Sequence, residues 1–213
     1  MQLLIVGATG LVGSQVLQQA LADSRITRIT RIVAPVRRAL PAHPRLLAPI
    51  VDFEHLPEDA DWWRADALVC TLGTTIKTAG SQPAFQRVDH DYPLLAAQLA
   101  HRHGTPTYVL NSAMGADAGS RIFYNRVKGE LERDLQAQGF ASLTFVRPGL
   151  ISGPRTEHRA GERFMVGVLG ALGPLLPRRW RLNPAHRIAQ ALIEAAVNAR
   201  PGVHIVSSEA LAE

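Results

Sequence analysis

The chain has 213 residues, 46% hydrophobic and 19% charged, which suffices for one domain with a large buried core. No apolar run approaches the ~20 residues of a membrane-spanning helix, so the sequence predicts no transmembrane segment. The net charge of +5 comes from dispersed arginines outside any recognisable nucleic-acid module, which argues against a nucleic-acid partner. The single cysteine, Cys70, excludes internal disulfides and a cysteine zinc cluster.

The amino terminus bears on where the protein is located. Its first residues already form a strand pattern, without a charged leader region or a cleavage site. A secretory signal peptide needs both of these features. We therefore expect no signal peptide and a cytoplasmic location.

Strand and helix patterns alternate along the whole chain, which predicts an α/β fold with a doubly wound parallel sheet. The predicted strands are Gln2–Val6, Ile26–Ala34, Leu46–Val51, Ala67–Thr71, Thr107–Asn111, Leu143–Arg147 and Val203–Val206. The predicted helices are Leu11–Ala22, a short one near Pro57–Arg64, Asp89–His103, Arg121–Gln138 and Ala185–Asn198. Pro93 falls in the first turn of the predicted Asp89 helix, where its missing N–H costs little. We expect residues 1–213 to form a single domain, with an irregular lid segment at 148–184 covering the carboxyl ends of the strands.

A glycine-rich turn follows the first predicted strand and leads into a helical pattern. It consists of Gly7, Ala8, Thr9, Gly10, Leu11, Val12 and Gly13. In parallel α/β sheets this order forms a phosphate cradle, because the helix start presents free N–H groups and its positive dipole end. Gly7 suits the tight turn, Gly10 lets a pyrophosphate approach the backbone, and Gly13 lets the helix press on the strand. The pattern predicts a dinucleotide site; the alternative is a purely structural turn.

The end of the second predicted strand indicates which dinucleotide binds. NAD sites usually place a carboxylate there for the ribose 2′-hydroxyl, whereas this segment carries Arg37 and Arg38 and no carboxylate. A planar guanidinium group suits a 2′-phosphate, which a carboxylate would repel. We therefore expect NADP(H), and of the two arginines Arg38 is the better candidate for merely facing solvent.

A tyrosine and a lysine four residues apart open the helix after the fifth predicted strand. Tyr124 and Lys128 lie on one face of that helix, and Ser112 ends the preceding strand. A tyrosine ordinarily has a pKa of about 10, and a nearby ammonium group together with an oxidised nicotinamide lowers that pKa. Tyr124 could then exchange a proton with a carbonyl, assisted by Ser112, while Lys128 binds a cofactor ribose. The alternative is that Tyr124 and Lys128 are surface residues of a helix.

Ser112, Tyr124 and Lys128 resemble the serine–tyrosine–lysine set of the short-chain dehydrogenase/reductase superfamily, in its atypical branch with a GxxGxxG loop. Within that branch the chain is similar to the TIP30-like oxidoreductases at residues 70–75 (CTLGTT), 87–92 (RVDHDY), 124–130 (YNRVKGE) and 147–149 (RPG). This resemblance covers residues 2–155 well and implies an NADP(H)-binding Rossmann fold with reductase activity or a regulatory role. The family's fourth catalytic residue, an asparagine on the fourth helix, has no clear counterpart in this chain.

Three segments that follow predicted strands are expected to border the cofactor. The resemblance implies adenine contacts at Asp52 and Phe53, although Asp52 suits a helix-capping role equally well. Leu72, Gly73 and Thr74 follow the fourth strand on the ribose side, and Gly73 permits a close backbone approach. Pro148 and Gly149 follow the sixth strand and are expected to border the nicotinamide.

The substrate region is less sharply defined by the sequence. An apolar block from Phe164 to Leu176 precedes a basic stretch that ends at Arg181. This block fits an apolar substrate pocket with a basic rim, a homodimer face, a shallow membrane contact or a lid helix folded onto the core. The eight histidines show no metal-ligand spacing with carboxylates, so we expect no bound metal.

Two functions of different class follow from these residues. The first is an NADPH-dependent carbonyl reductase that uses Ser112, Tyr124 and Lys128 on a small apolar carbonyl substrate. The second is an NADP(H)-binding regulatory protein with little turnover, supported by the apolar–basic block and the missing asparagine. A sugar-nucleotide epimerase is less well supported, because the small lid leaves little room for such a large substrate.

Overall fold

The computed structural model describes residues 1–22, 29–153 and 181–212. The strands in these ranges are β1 (Gln2–Val6), β2 (Arg31–Val33), β3 (Leu46–Leu47), β4 (Ala67–Cys70), β5 (Thr107–Asn111), β6 (Ser142–Arg147), β7 (Ile151–Ser152), β8 (Asn183–Pro184) and β9 (Gly202–Ser207). The helices are α1 (Leu11–Ala22), α2 (Ile76–Ala79), α3 (Gln82–Gln86), α4 (Tyr92–Arg102), α5 (Phe123–Gln136), α6 (Ala185–Asn198) and α7 (Ser208–Leu211). A 3₁₀ turn covers Asp61–Trp63 and a π turn covers Arg87–Asp91.

The central sheet has seven strands in the order β3-β2-β1-β4-β5-β6-β9, and all neighbouring strands are parallel. The predicted doubly wound parallel sheet is therefore confirmed. The strand order reverses between β1 and β4, whose register runs from Leu3 opposite Ala67 to Val6 opposite Cys70. Open α/β sheets bind ligands outside the carboxyl ends of the strands at such a reversal. The glycine turn follows β1 directly at this point.

Two apolar clusters hold the helices against the sheet. Leu3 and Ile5 pack on the face covered by α1 and α6, while Leu4 and Val6 pack on the face covered by α4 and α5. Successive side chains of a strand point to opposite faces, so a strand covered on both faces is apolar throughout. This explains why the first strand was recognisable as a continuous apolar run.

The helix predicted to begin at Asp89 begins earlier, so its predicted start is wrong. Helical backbone runs from Gln82 through the π turn to Arg102, and the Ser81 hydroxyl caps its start by accepting a hydrogen bond from the Ala84 N–H. Pro93 therefore lies inside the helical stretch rather than in its first turn. A proline there lacks a donor and clashes with the carbonyl four residues earlier. The π turn, closed by the Tyr92 N–H on the Arg87 carbonyl, loosens the helix at this point.

Other predicted elements are shorter in the structure. The strand predicted at Leu46–Val51 is reduced to Leu46–Leu47, since Pro49 cannot donate to a ladder, and only an isolated bridge joins Val36 and Ile50. The helix predicted near Pro57–Arg64 is the 3₁₀ turn. Residues 26–28 of the second predicted strand and residues 154–180 of the predicted lid lie outside the described residues, and the apolar–basic block does so up to residue 180. In the described ranges no helix has the length and apolar character required to cross a membrane.

Candidate active site

The glycine turn after β1 has no room for side chains at two of its positions. Gly7 has a φ of +89°, and a Cβ there would lie 2.7 Å from the Leu72 nitrogen. A Cβ on Gly13 would lie 2.1 Å from the Gly7 carbonyl oxygen. At Gly10, by contrast, the nearest atom to a Cβ would be the same oxygen at 3.4 Å, an ordinary van der Waals contact. The turn therefore packs against the sheet at Gly7 and Gly13 and leaves its backbone approachable at Gly10.

Two further observations agree with a bound dinucleotide at this edge. The first turn of α1 contains no acidic residue, so no carboxylate of its own competes for the N–H groups that a helix start leaves unpaired. Asn111 ends β5, and its buried Oδ1 has no hydrogen-bond partner among the described residues. An acceptor in this position suits an amide N–H donor such as the carboxamide of a nicotinamide. The residues present thus fit such a cofactor.

Arg37 and Arg38 lie beyond the end of β2, and both are exposed. Neither forms an ion pair or a hydrogen bond within the described part of the chain. The structure thus leaves both guanidinium groups accessible to an anionic ligand, and it does not by itself separate the role of Arg37 from that of Arg38.

Asp52 and Phe53 are already engaged with the protein. Asp52 accepts a hydrogen bond from the Glu54 N–H (3.0 Å) and pairs with His55 (3.1 Å), and the first of these contacts is the main reason that its pKa is lowered. Phe53 is buried against the ring of Tyr92, with 5.9 Å between the centroids. Asp52 therefore caps a turn and not a helix, so the helix-capping alternative is not realised, and an adenine contact by either residue stays a prediction.

The loop after β4 is tied to the π turn through Asp89. The Thr74 N–H donates to Asp89 Oδ2 at 2.7 Å. A Cβ on Gly73 would lie 3.3 Å from Asp89 Oδ1 and 3.8 Å from Lys128 Nζ. The segment Leu72–Thr74 consequently runs directly over the charged pair that Asp89 and Lys128 form.

Lys128 of α5 and Asp89 of the π turn form a buried ion pair. Lys128 Nζ lies 2.7 Å from Asp89 Oδ1, and the two residues are 3% and 1% exposed. Burial is the largest single influence on the pKa of Lys128 and lowers it, but the charge and hydrogen bond of Asp89, together with smaller contributions from Tyr124 and Cys70, outweigh burial, so the pKa is raised. Lys128 is therefore a fixed ammonium group. The interpretation of Lys128 as a solvated surface residue does not hold in this structure.

Tyr124 lies one helical turn before Lys128 and is 38% exposed, with its ring 5.7 Å from that of Phe85. Its pKa is raised above the ordinary value of 10.0, chiefly by burial. Lys128 acts in the opposite direction, but Asp89 raises the pKa again. In the protein alone, burial together with the charge of Asp89 outweighs the effect of Lys128. The prediction that Lys128 and an oxidised nicotinamide together lower the pKa of Tyr124 concerns the cofactor-bound protein and stays a prediction.

Ser112 is buried in a network with Glu132 and Arg147. The Ser112 hydroxyl donates to Glu132 Oε1 at 2.5 Å, and Arg147 donates to the same oxygen through Nε at 3.0 Å. Arg147 also binds the second carboxylate oxygen through Nη2. The hydroxyl predicted to assist Tyr124 thus already has its proton engaged.

Pro148 and Gly149 connect the end of β6 to neighbouring segments. The Pro148 carbonyl accepts a hydrogen bond from the Met114 N–H (2.8 Å), and the Gly149 N–H donates to Asn183 Oδ1 (2.6 Å). The Pro148 carbonyl and the Gly149 N–H are therefore occupied within the protein. Their predicted position beside the nicotinamide rests on van der Waals contact and stays a prediction.

Three residues of this site were missed by the sequence reasoning, namely Asp89, Asn111 and Glu132. Glu132 had a signal, because it follows Lys128 by four residues and so continues the face of Tyr124 and Lys128. Asp89 had none, since the π turn changes the helical register around it. Asp89 also occupies the fourth helical stretch where the resemblance leaves the expected asparagine without a counterpart.

The described residues also contain a cavity far from Tyr124. It measures about 520 Å³ and lies between α6 and the outer strands, where Thr144, Arg187, Glu194 and Val206 line it. No residue predicted for the cofactor or the chemistry lines this cavity. The described parts of the chain contain no group of three or more histidine, cysteine or acidic residues arranged to hold a metal ion.

Comparison with known proteins gives relatives by sequence. No family model matches the chain. The protein named "Protein fmp52, mitochondrial" from Emericella nidulans is 34% identical over 218 residues, covering 96% of this chain and 91% of that protein. Relatives from other fungi, including Eremothecium gossypii and Coccidioides immitis, carry the same name.

Solved structures share the fold. MoeE5 in complex with UDP-glucose and NAD superposes with a TM-score of 0.71 at 16% identity, covering 96% of this chain and 75% of MoeE5. The oxidoreductase ylbE from Lactococcus lactis superposes with a TM-score of 0.68 at 18% identity, covering 99% of this chain and 95% of ylbE. These similarities establish a Rossmann-like α/β fold.

The comparisons also correct two expectations. The relatives by sequence carry the name Fmp52, so the TIP30-like branch expected from the sequence is not supported. The cytoplasmic location expected from the amino terminus is contradicted, because these relatives are named as mitochondrial proteins.

Proposed function

The chain belongs to the Fmp52 family, and we propose that it is an NADP(H)-dependent oxidoreductase that reduces a small apolar carbonyl compound at Tyr124. One observation carries this proposal: a buried ammonium group, Lys128, is held by Asp89 one helical turn from the half-exposed Tyr124. A buried charge pair beside a titratable hydroxyl, at the carboxyl edge of a parallel sheet, is typical of a reaction site. A structural helix face would not require a buried lysine.

The glycine turn and the arginines support the choice of cofactor. Residues 7–13 offer an approachable backbone at Gly10 and an α1 start without acidic residues. The structure of MoeE5, which has the same fold, contains NAD. In this chain the exposed Arg37 and Arg38 favour the 2′-phosphate of NADP(H). When bound, NADPH supplies a hydride to the carbonyl carbon.

Tyr124 and Lys128 have distinct tasks in this proposal. The raised pKa of Tyr124 keeps its hydroxyl protonated at neutral pH, so Tyr124 can donate a proton to the substrate oxygen. Lys128 keeps its positive charge and offers N–H donors to a ribose hydroxyl. Tyr124 therefore carries the proton that the reduction of a carbonyl requires.

Exposed apolar side chains near this edge support an apolar substrate. Ile122 is 62% exposed directly before α5, Leu150 is 48% exposed after β6, and Ile76 is 40% exposed after β4. The three belong to segments that follow adjacent strands of the sheet, whose carboxyl ends share one edge. Their placement favours a small apolar ketone, aldehyde or quinone over a strongly polar substrate.

A turnover assay with matched tyrosine variants tests this function. NADPH consumption is followed over a panel of apolar aldehydes, ketones and quinones with wild type, Tyr124→Phe and the control Tyr92→Phe, which lies in contact with Phe53. We expect Tyr124→Phe to lower kcat roughly 100-fold or more while NADPH still binds, because general acid catalysis contributes about that much. Tyr92→Phe should retain wild-type kcat.

Two outcomes would contradict the proposal. If Tyr124→Phe turns over as fast as wild type, Tyr124 is not the proton donor. If wild type binds NADPH but reduces nothing in the panel, the regulatory alternative gains the support that the reductase loses.

A further inference from the structure

The hydrogen-bond network around Ser112 determines how this hydroxyl can take part in the reaction. We propose that Glu132 is a positioning residue that holds the Ser112 proton, so that Ser112 acts as a hydrogen-bond acceptor and Tyr124 is the only hydroxyl that donates to the substrate oxygen. The inference rests on the proposed function and deepens it. It differs from the prediction made from sequence, in which Ser112 and Tyr124 polarise the carbonyl together.

The direction of the Ser112 hydrogen bond follows from the charges. Glu132 pairs with the guanidinium group of Arg147, which binds both of its carboxylate oxygens. Hydrogen bonding to Glu132 in turn raises the pKa of Arg147. A carboxylate paired in this way is ionised and can only accept hydrogen bonds, so the proton between Ser112 and Glu132 belongs to Ser112.

A hydroxyl has one proton and two lone pairs, so this bond leaves Ser112 only acceptor capacity. To donate to a carbonyl, Ser112 would have to exchange a bond to a charged oxygen for one to a neutral oxygen. Charge-assisted hydrogen bonds are roughly twice as strong as neutral ones. The exchange would also remove a partner from Glu132, whose side chain is only 4% exposed. The Ser112 bond to Glu132 is therefore favoured over a bond to the neutral carbonyl oxygen of a bound substrate.

The placement of Glu132 on α5 links this network to the reacting residues. Tyr124, Lys128 and Glu132 follow one another at intervals of four residues, so they lie along one face of the helix. Each of the two deeper residues is held by a charge from another element: Lys128 by Asp89 of the π turn, and Glu132 by Arg147 of β6. Tyr124 alone on this face keeps its hydroxyl proton uncommitted to a carboxylate among the described residues.

Proton NMR of the purified protein tests where the Ser112 proton resides. A short hydrogen bond to a carboxylate shifts a hydroxyl proton downfield and slows its exchange with water. The Tyr92 hydroxyl, which donates to Glu54 Oε1 at 2.5 Å, gives a second such signal, which Tyr92→Phe removes. We expect the Ser112 resonance in wild type, in Tyr124→Phe and in the control Glu130→Gln, which makes the same charge change two residues away on α5. It should be absent in Glu132→Gln and in Ser112→Ala, and the second variant decides the matter if the first does not fold.

The turnover assay gives the second readout. If Ser112 only accepts, Ser112→Ala should lower kcat for carbonyl reduction less than about ten-fold, against the roughly 100- to 1000-fold loss typical of removing an oxyanion donor. A loss of 100-fold or more overturns the proposal, as does a resonance that survives in Glu132→Gln. An NADPH titration of the same samples keeps the two proposals apart. If wild type does not bind NADPH, the proposed function fails, while the NMR spectra still decide whether Glu132 holds the proton.

Discussion

The phosphate end and the chemical end of the candidate site are built from different parts of the protein. At the phosphate end the backbone of residues 7–13 forms the surface, and Gly13 approaches Gly7 so closely that a single added carbon would overlap the Gly7 carbonyl. The chemical end depends instead on a buried ion pair, in which Lys128 and Asp89 neutralise each other's charge away from water. The phosphate end therefore cannot accept a side-chain carbon at Gly7 or Gly13, and the chemical end cannot lose the charge of Lys128 or Asp89 without leaving the other unpaired.

The largest effect on cofactor binding is expected at Gly13, in contrast to Gly10. Gly13→Ala places a Cβ 2.1 Å from the Gly7 oxygen, so the α1–β1 contact must open, at a cost of about 1–3 kcal/mol or more. We expect a clearly lower Tm in thermal denaturation and no measurable NADPH binding. Gly10→Ala meets that oxygen at 3.4 Å and should keep the wild-type Tm while weakening NADPH binding. Equal Tm values for the two variants would contradict the packing argument.

The charged end is probed by Asp89→Ala, which leaves the Lys128 charge buried and unpaired. Breaking a buried pair in this way costs about 3–5 kcal/mol, which lowers Tm by roughly 10 °C in a domain of this size. Arg102→Ala is a suitable control, because it breaks the exposed pair with Glu58. That variant should change Tm little.

The pH dependence of stability sharpens this test. The pKa of Lys128 is raised above its ordinary value of 10.5, so its contribution is complete below that pH and is lost only as the pH rises through the higher folded value. In Asp89→Asn the burial of Lys128 remains and its main compensating charge is gone, so the folded pKa falls below the unfolded one. Stability of the variant should then increase with pH on the alkaline side of neutrality, where wild type stays constant. Parallel curves for the two proteins would show that Asp89 does not compensate Lys128.

A smaller effect is expected at the exposed arginines. Arg37→Ala should weaken NADPH binding roughly ten- to 100-fold and leave NADH binding unchanged, since a hydrogen bond to a charged group contributes about 1.5–3 kcal/mol. Arg38→Ala is the matched control and should have the smaller effect. Equal losses for NADPH and NADH in Arg37→Ala would place this residue away from the 2′-phosphate.

The same contrast explains what sequence reasoning could and could not find. The glycine turn depends on neighbouring residues, so its steric demands at Gly7 and Gly13 could be predicted from a strand, a turn and a helix in succession. The parallel sheet followed in the same way from alternating local patterns. Asp89 could not be placed, because Pro93 induces a π turn that changes which helical residues face inward. The raised pKa of Tyr124 in the protein alone could not be predicted either, since it follows first from burial and then from this carboxylate, which lies 35 residues earlier in the sequence.

The claim that the glycine turn binds a dinucleotide is tested by a calorimetric titration of the wild-type protein with NADPH and with NADH. We expect saturable binding of both nucleotides at one site per chain, with NADPH the tighter ligand. No binding of either nucleotide would contradict it, and the turn at residues 7–13 would then serve only to join β1 to α1.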